Sequence, residues 1–158
     1  MGAMECQTKW LGESAGGLAF SAQVRQHSFI MDAGQSSGGK DQGPSPKEVL
    51  LASICACSGM DVASILKKMR GVVESCEVNA KTETTSSYPS IFKEVLVEYK
   101  IKGSEISEEQ ALKAVRLSMT KYCGVSAMVV DASPISYQVH LNGKWIGDGK
   151  AHFEEVAE

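Results

Sequence analysis

The spacing of apolar residues changes twice along this chain, and each change marks a different kind of element. Residues 19–24 and 29–31 are short β-compatible runs, with Gly16-Gly17 as a turn before the first and His27-Ser28 between the two. A polar loop, residues 34–43, follows. Ser45-Pro46-Lys47-Glu48 then spells a capping box with proline at the first helical position. The Ser45 hydroxyl can accept from the Glu48 N–H, and the Glu48 carboxylate can reach back to the N–H of Ser45. The helix is expected to run to Arg70, with Lys67, Lys68 and Arg70 near its negative end and Gly71 just past it. Leu50, Ile54 and Cys57 form one stripe; Leu51, Cys55, Val62 and Leu66 form another. With both sides apolar for three turns, the helix is expected to be surrounded by protein.

After Gly71 the period becomes two. Cys76, Val78, Ala80 and Thr82 alternate with charged or polar neighbours, which predicts a half-buried strand. Residues 86–90 are a turn, and Val95, Val97, Tyr99 and Ile101 are the inward set of a partner strand in an antiparallel hairpin. Ser107-Glu108-Glu109-Gln110 is a second capping box, opening a helix expected to end near Tyr122. Ile135, Tyr137, Val139 and Leu141 mark a further strand, and Asn142-Gly143 predicts a type I′ turn into Trp145-Ile146. Strands and helices do not alternate regularly, so the fold class is α+β. Residues 4–150 are expected to form one domain, with 151–158 a polar tail that frays.

Composition narrows the function. With 158 residues, 43% of them apolar, the chain can bury a core. A formal net charge of -3 supplies no basic footprint for nucleic acid. No uninterrupted apolar run approaches the roughly 20 residues of a spanning helix, and the start, MGAMECQTKW, has no apolar leader core. A cytoplasmic protein without a membrane partner is therefore expected. The five cysteines, Cys6, Cys55, Cys57, Cys76 and Cys123, are odd in number and suit free thiols better than a disulfide framework. No C-x-x-C pair occurs and the three histidines are scattered, so a structural zinc site is not expected.

Two motifs invite a chemical reading. Gly34 to Lys40 spells G-x-x-x-x-G-K, but Asp41 stands where a hydroxyl should hold magnesium, and Pro44 and Pro46 prevent a helix from starting beside the lysine. A plain loop is the better reading. Cys57 lies about three turns into the long helix, where the helix dipole gives a thiolate little help, so a reactive Cys57 needs a cation from elsewhere. A buried, inert cysteine is the competing reading. Cys55 is about 200° around the helix from Cys57, and it and Cys76 read as core. Asp61, one turn beyond Cys57, would raise a thiol pKa and is read as capping or pairing at a subunit boundary. Cys123, beside Gly124 at a helix end, has the freedom a resolving thiol needs, though that position is equally compatible with no special role. Glu48 is explained by its cap.

Residues 39–62, from Gly39 through Pro44-Ser45-Pro46 and Ile54-Cys55-Ala56-Cys57 to Val62, with Ser64-Ile65-Leu66 after them, resemble the OsmC/Ohr family. So does Lys121-Tyr122-Cys123-Gly124-Val125-Ser126, and the order of elements matches along nearly the whole chain. The nearest likeness is to the OsmC-like branch. The resemblance implies an intertwined homodimer, with antiparallel sheets packed around a long buried central helix. It implies that Cys57 is the peroxidatic cysteine and Cys123 the resolving one. An organic hydroperoxide would be the substrate, a dithiol the reductant, and no cofactor would be required. Peroxidase members carry an acid directly after the proline that opens the helix; here Lys47 holds that position and Glu48 follows. They also use an arginine from the N-terminal strands to stabilise the thiolate, and Arg25 is the only arginine before the helix. The alternative is a non-catalytic dimer that holds an apolar small molecule at its interface. A redox sensor whose disulfide alters a partner contact is a third reading.

Overall fold

The computed structural model describes residues 3–154. The chain divides into two compact units, Met1–Leu51 and Ala52–Glu158. The first holds a three-stranded antiparallel sheet in the order β1 (Gln7–Trp10), β2 (Phe20–Val24), β3 (His27–Met31). β1 was not expected: all four of its residues are exposed, so it carries no hydrophobic alternation to read. The hairpin between β2 and β3 is tighter than the pattern suggests. Val24 pairs with His27, leaving Arg25-Gln26 as the turn, with Arg25 in the left-handed region at φ 54. His27 and Ser28 are therefore strand residues rather than connection.

Asp32 organises the loop after β3. Its carboxylate is 2% exposed and accepts the backbone N–H groups of Ala33, Lys40 and Gln42 at 2.8, 3.0 and 3.1 Å. Burial pushes its pKa up, but these donors, with the Leu18 N–H, outweigh burial and hold it below the ordinary carboxylate value. A carboxylate of the chain itself thus occupies the Lys40 N–H within the G-x-x-x-x-G-K segment. Residues 35–37 of that segment form one 3₁₀ turn, in keeping with a structural loop.

The long helix, α1 (Pro46–Lys68), begins with the expected capping box: Ser45 N–H and Oγ both donate to Glu48 Oε2 at 2.7 Å. Its other end differs from expectation. Gly71 N–H donates to Leu66 O and Arg70 N–H to Lys67 O, both at 3.0 Å, the two bonds of a Schellman motif. The left-handed position is taken by Arg70, at φ 65. Gly71 is required for space: a Cβ there would lie 2.8 Å from Ile106 Cγ1. Arg70→Gly is expected to stabilise the fold by about 0.5–1 kcal/mol by relieving the left-handed residue, whereas Gly71→Ala should destabilise it. Urea denaturation of the two variants checks the opposite signs.

The second unit holds a four-stranded sheet ordered β4 (Val72–Thr84), β5 (Phe92–Ser104), β6 (Ile135–Leu141), β7 (Lys144–Lys150). β4–β5 and β6–β7 are antiparallel, but β5–β6 is parallel, so the sheet is mixed. A parallel pair needs a long crossover. The chain supplies it through α2 (Glu108–Leu117), a π-helical turn (Ser118–Tyr122) and α3 (Gly124–Val129). The predicted inward sets of β5 and β6 are buried throughout, and α2 adds Ala111, Ala114 and Val115 to the core. The capping box at Ser107 and Gln110 is complete, and Asn142 (φ 51) and Gly143 (φ 85) form the predicted primed turn. Beyond β7 the chain stays tied: Ala151 N–H donates to Ile135 O and His152 N–H to Met119 O, because Ala151 is buried. Residues 155–158, where fraying was also expected, lie outside the described residues.

Within one chain α1 is not surrounded. Its buried residues are Ile54, Ser58, Val62 and Leu66, one stripe at a spacing of four. The opposite stripe, Ala52, Ala56, Met60 and Ser64, is exposed, with Met60 at 72%. By length and composition α1 also reaches the range of a membrane-spanning helix, contrary to the reading from uninterrupted apolar runs. Ser53, Ser58 and Asp61 interrupt such runs without lowering the average below that range.

Candidate functional site

Cys57 and Cys123 both lie in the second unit, near enough for Cys57 to influence the Cys123 thiol. Cys57 is half-buried on α1, and Cys123 is fully buried between the π turn and α3. Cys123 was expected at a mobile helix end. It is held instead, because its side chain caps α3, a helix that the sequence pattern did not reveal. Cys123 Sγ accepts the Ser126 N–H at 3.4 Å and lies 3.0 Å from Ser126 Oγ. Burial pushes the Cys123 thiol up to about 11. Contact with the Ser126 hydroxyl and N–H opposes that rise, and the neighbouring Cys57 adds to it.

The helices are fixed around this pair by Asp61 and Ser118. Ser118 Oγ donates to Asp61 Oδ2 at 2.9 Å, tying α1 to the start of the π turn that delivers Cys123. Asp61 was expected to cap or pair at a subunit boundary; the bond it makes here is to Ser118 of its own chain. A π turn widens the helix by a residue and is frequent at functional sites. A cleft of ≈ 540 Å³ opens beside the turn, walled by Leu117, Tyr122, Cys123, Ala127, His152 and Phe153.

Tyr99, on β5, was placed in the core by its strand position, and its polar end was missed. The ring is fully buried and its hydroxyl has no hydrogen-bond partner. Burial drives its pKa strongly upward; Ser58 opposes this, and Cys123, Cys55 and Cys76 add to it. Ser58 Oγ is already committed to Ile54 O at 2.9 Å, and its approach to Tyr99 falls short of a bond. An orphaned buried hydroxyl costs stability. Tyr99→Phe is therefore expected to raise stability by about 1–2 kcal/mol, read as a higher Tm in calorimetry. A lower Tm would mean that the hydroxyl is paired.

The remaining candidates are placed as follows. Arg25 occupies the β2–β3 turn, exposed, with its carbonyl accepting from Gln23 Nε2 at 2.6 Å. Glu48 is held by Ser45, whose N–H and hydroxyl lower its pKa. Cys55 and Cys76 are half-buried thiols raised by burial, and Cys6 is exposed. Among the described residues no group of three His, Cys, Asp or Glu side chains is arranged to hold a metal ion.

Fold and thiol pair together define a class. A family model described as OsmC-like protein matches residues 39–138, which includes α1, the hairpin, the π turn and both central cysteines. The chain belongs to this family. Protein YhfA of Escherichia coli strain K12 is 35% identical over 144 residues, covering 87% of this chain and 98% of that protein. The crystal structure of a hypothetical protein from Aquifex aeolicus VF5 superimposes with a TM-score of 0.77 at 28% identity, covering 98% of this chain and 100% of that one. An organic hydroperoxide resistance protein from Elizabethkingia anophelis shares the fold, with a TM-score of 0.69 at 16% identity, covering 90% and 98% of the respective chains.

Proposed function

We propose that the chain is a homodimeric, thiol-dependent peroxidase that reduces organic hydroperoxides. The observation that carries this reading is that the fold brings Cys57 and Cys123, residues far apart in sequence, near enough for their thiols to affect each other, with Cys123 Sγ held by Ser126. Membership of the OsmC-like family and the fold shared with a protein named for organic hydroperoxide resistance support it. A Cys57 thiolate attacks one peroxide oxygen; the O–O bond breaks, the alcohol leaves with a proton, and Cys57 becomes a sulfenic acid. Cys123 sulfur then attacks Cys57 sulfur. The S–O bond breaks, a disulfide forms, and the Cys123 proton leaves with the oxygen as water. A dithiol reductant restores both thiols by exchange and becomes a disulfide itself. Arg25 is proposed as the cation that favours the Cys57 thiolate, with Glu48 as a supporting carboxylate.

The dimer is supported by what one chain leaves uncovered: the Ala52-Ala56-Met60 stripe of α1, and Trp10, Phe20, Phe29 and Ile30 on the N-terminal sheet, each at least 40% exposed. An apolar interface of this kind would favour alkyl over hydrogen peroxide. Fully reduced protein mixed with cumene hydroperoxide should lose the Cys57 and Cys123 thiols together within minutes, as a disulfide seen by intact and peptide mass spectrometry. If both cysteines remain reduced, the peroxidase reading fails and the non-catalytic binding protein takes its place.

A further inference from the structure

The buried Ser126 hydroxyl has no role in the reading above, yet it lies 3.0 Å from the sulfur that must react second. We propose that Ser126 is the positioning residue of the resolving step, its O–H donating to Cys123 sulfur as charge develops there. The inference rests on the peroxidase reading and assigns one residue within it.

The chemistry creates the need. Attack by Cys123 converts a neutral S–H into a sulfur that passes its proton to the departing oxygen. Negative charge accumulates on Cys123 before the new S–S bond absorbs it. Cys123 is fully buried, so no water is available to solvate that charge. The two polar groups that hold it both belong to Ser126: the backbone N–H, which donates to the sulfur at 3.4 Å, and the hydroxyl 3.0 Å away, which can turn its proton toward the sulfur. The N–H is also part of the α3 cap and survives any side-chain change. The hydroxyl is the separable part. A donor so placed stabilises the attacking state more than the resting thiol.

The test separates the two chemical steps in the full-length protein. In stopped-flow and quench experiments with cumene hydroperoxide, Ser126→Ala should consume the Cys57 thiol at the wild-type rate. Disulfide formation should slow by about tenfold or more, the size expected for a hydrogen bond to a charged group. The Cys57 sulfenic acid should accumulate, trapped by dimedone, and the pH profile of disulfide formation should move to higher pH. Ser126→Thr, which keeps a hydroxyl, should restore the rate. A serine that served only to pack α3 would leave the pH profile unmoved. Disulfide formation in Ser126→Ala at the wild-type rate and pH profile overturns the inference. If wild-type Cys57 does not react with peroxide, the peroxidase reading fails separately. The same pH profile driven by diamide, which brings Cys123 onto a Cys57 adduct without peroxide, then decides the role of Ser126 alone.

Discussion

Replacing Cys57 with serine is expected to bring peroxide consumption down to the uncatalysed background. The drop should be on the order of 10³-fold or more, because a neutral hydroxyl is a weak nucleophile where a thiolate is a strong one. Cys123→Ser should behave differently. It keeps the peroxide step, gives a single turnover and leaves Cys57 as a sulfenic acid with no intramolecular partner. Consumption followed with a ferrous xylenol orange assay, together with the oxidation state of Cys57 by mass spectrometry, distinguishes the two variants. Unchanged turnover in Cys57→Ser would remove Cys57 from the mechanism. Cys55 is a control on the same helix: it is raised by burial and lies on another face, so Cys55→Ser should keep most of the activity.

A glutamate in place of Ala56 is expected to convert a dimer into monomers. Ala56 lies in the middle of the exposed stripe of α1, opposite Ile54, Ser58, Val62 and Leu66. If a second copy covers that stripe, the substitution buries one unpaired carboxylate per chain, each costing several kcal/mol. Sedimentation velocity at micromolar concentration should show wild-type dimer and variant monomer. Monomeric wild-type protein would end the dimer proposal. Retention of the dimer by the variant would show that the interface lies on another face.

How much of this was legible in the sequence depends on whether the signal was local. Capping boxes, the Asn142-Gly143 turn and the alternation of β5 and β6 are written within four to seven consecutive residues, and each formed where expected. β1 is short, exposed and without alternation, so it left no trace. α3 was missed for a related reason. Its N-cap is a cysteine, and its six residues, Gly124–Val129, include a glycine and two valines, so neither cap nor propensity marks it. Gly71 was expected just past the helix end, but the reason it must be glycine is the closeness of Ile106, thirty-odd residues away and unseen in the local pattern. The parallel β5–β6 pair likewise followed from where the crossover packed.

The class of fold and the long capped helix were readable in the sequence alone, because backbone hydrogen bonding and apolar periodicity act over a few residues; Cys57 and Cys123 stood out only through the motifs that resemble the family. Folding alone decides that Cys57 and Cys123 become neighbours, that Cys123 is buried rather than loose and held by Ser126, that Asp61 pairs with Ser118, and that one face of α1 stays uncovered within a single chain. Burial, desolvation and contacts between distant segments exist only once the chain has closed on itself, and no local pattern encodes them.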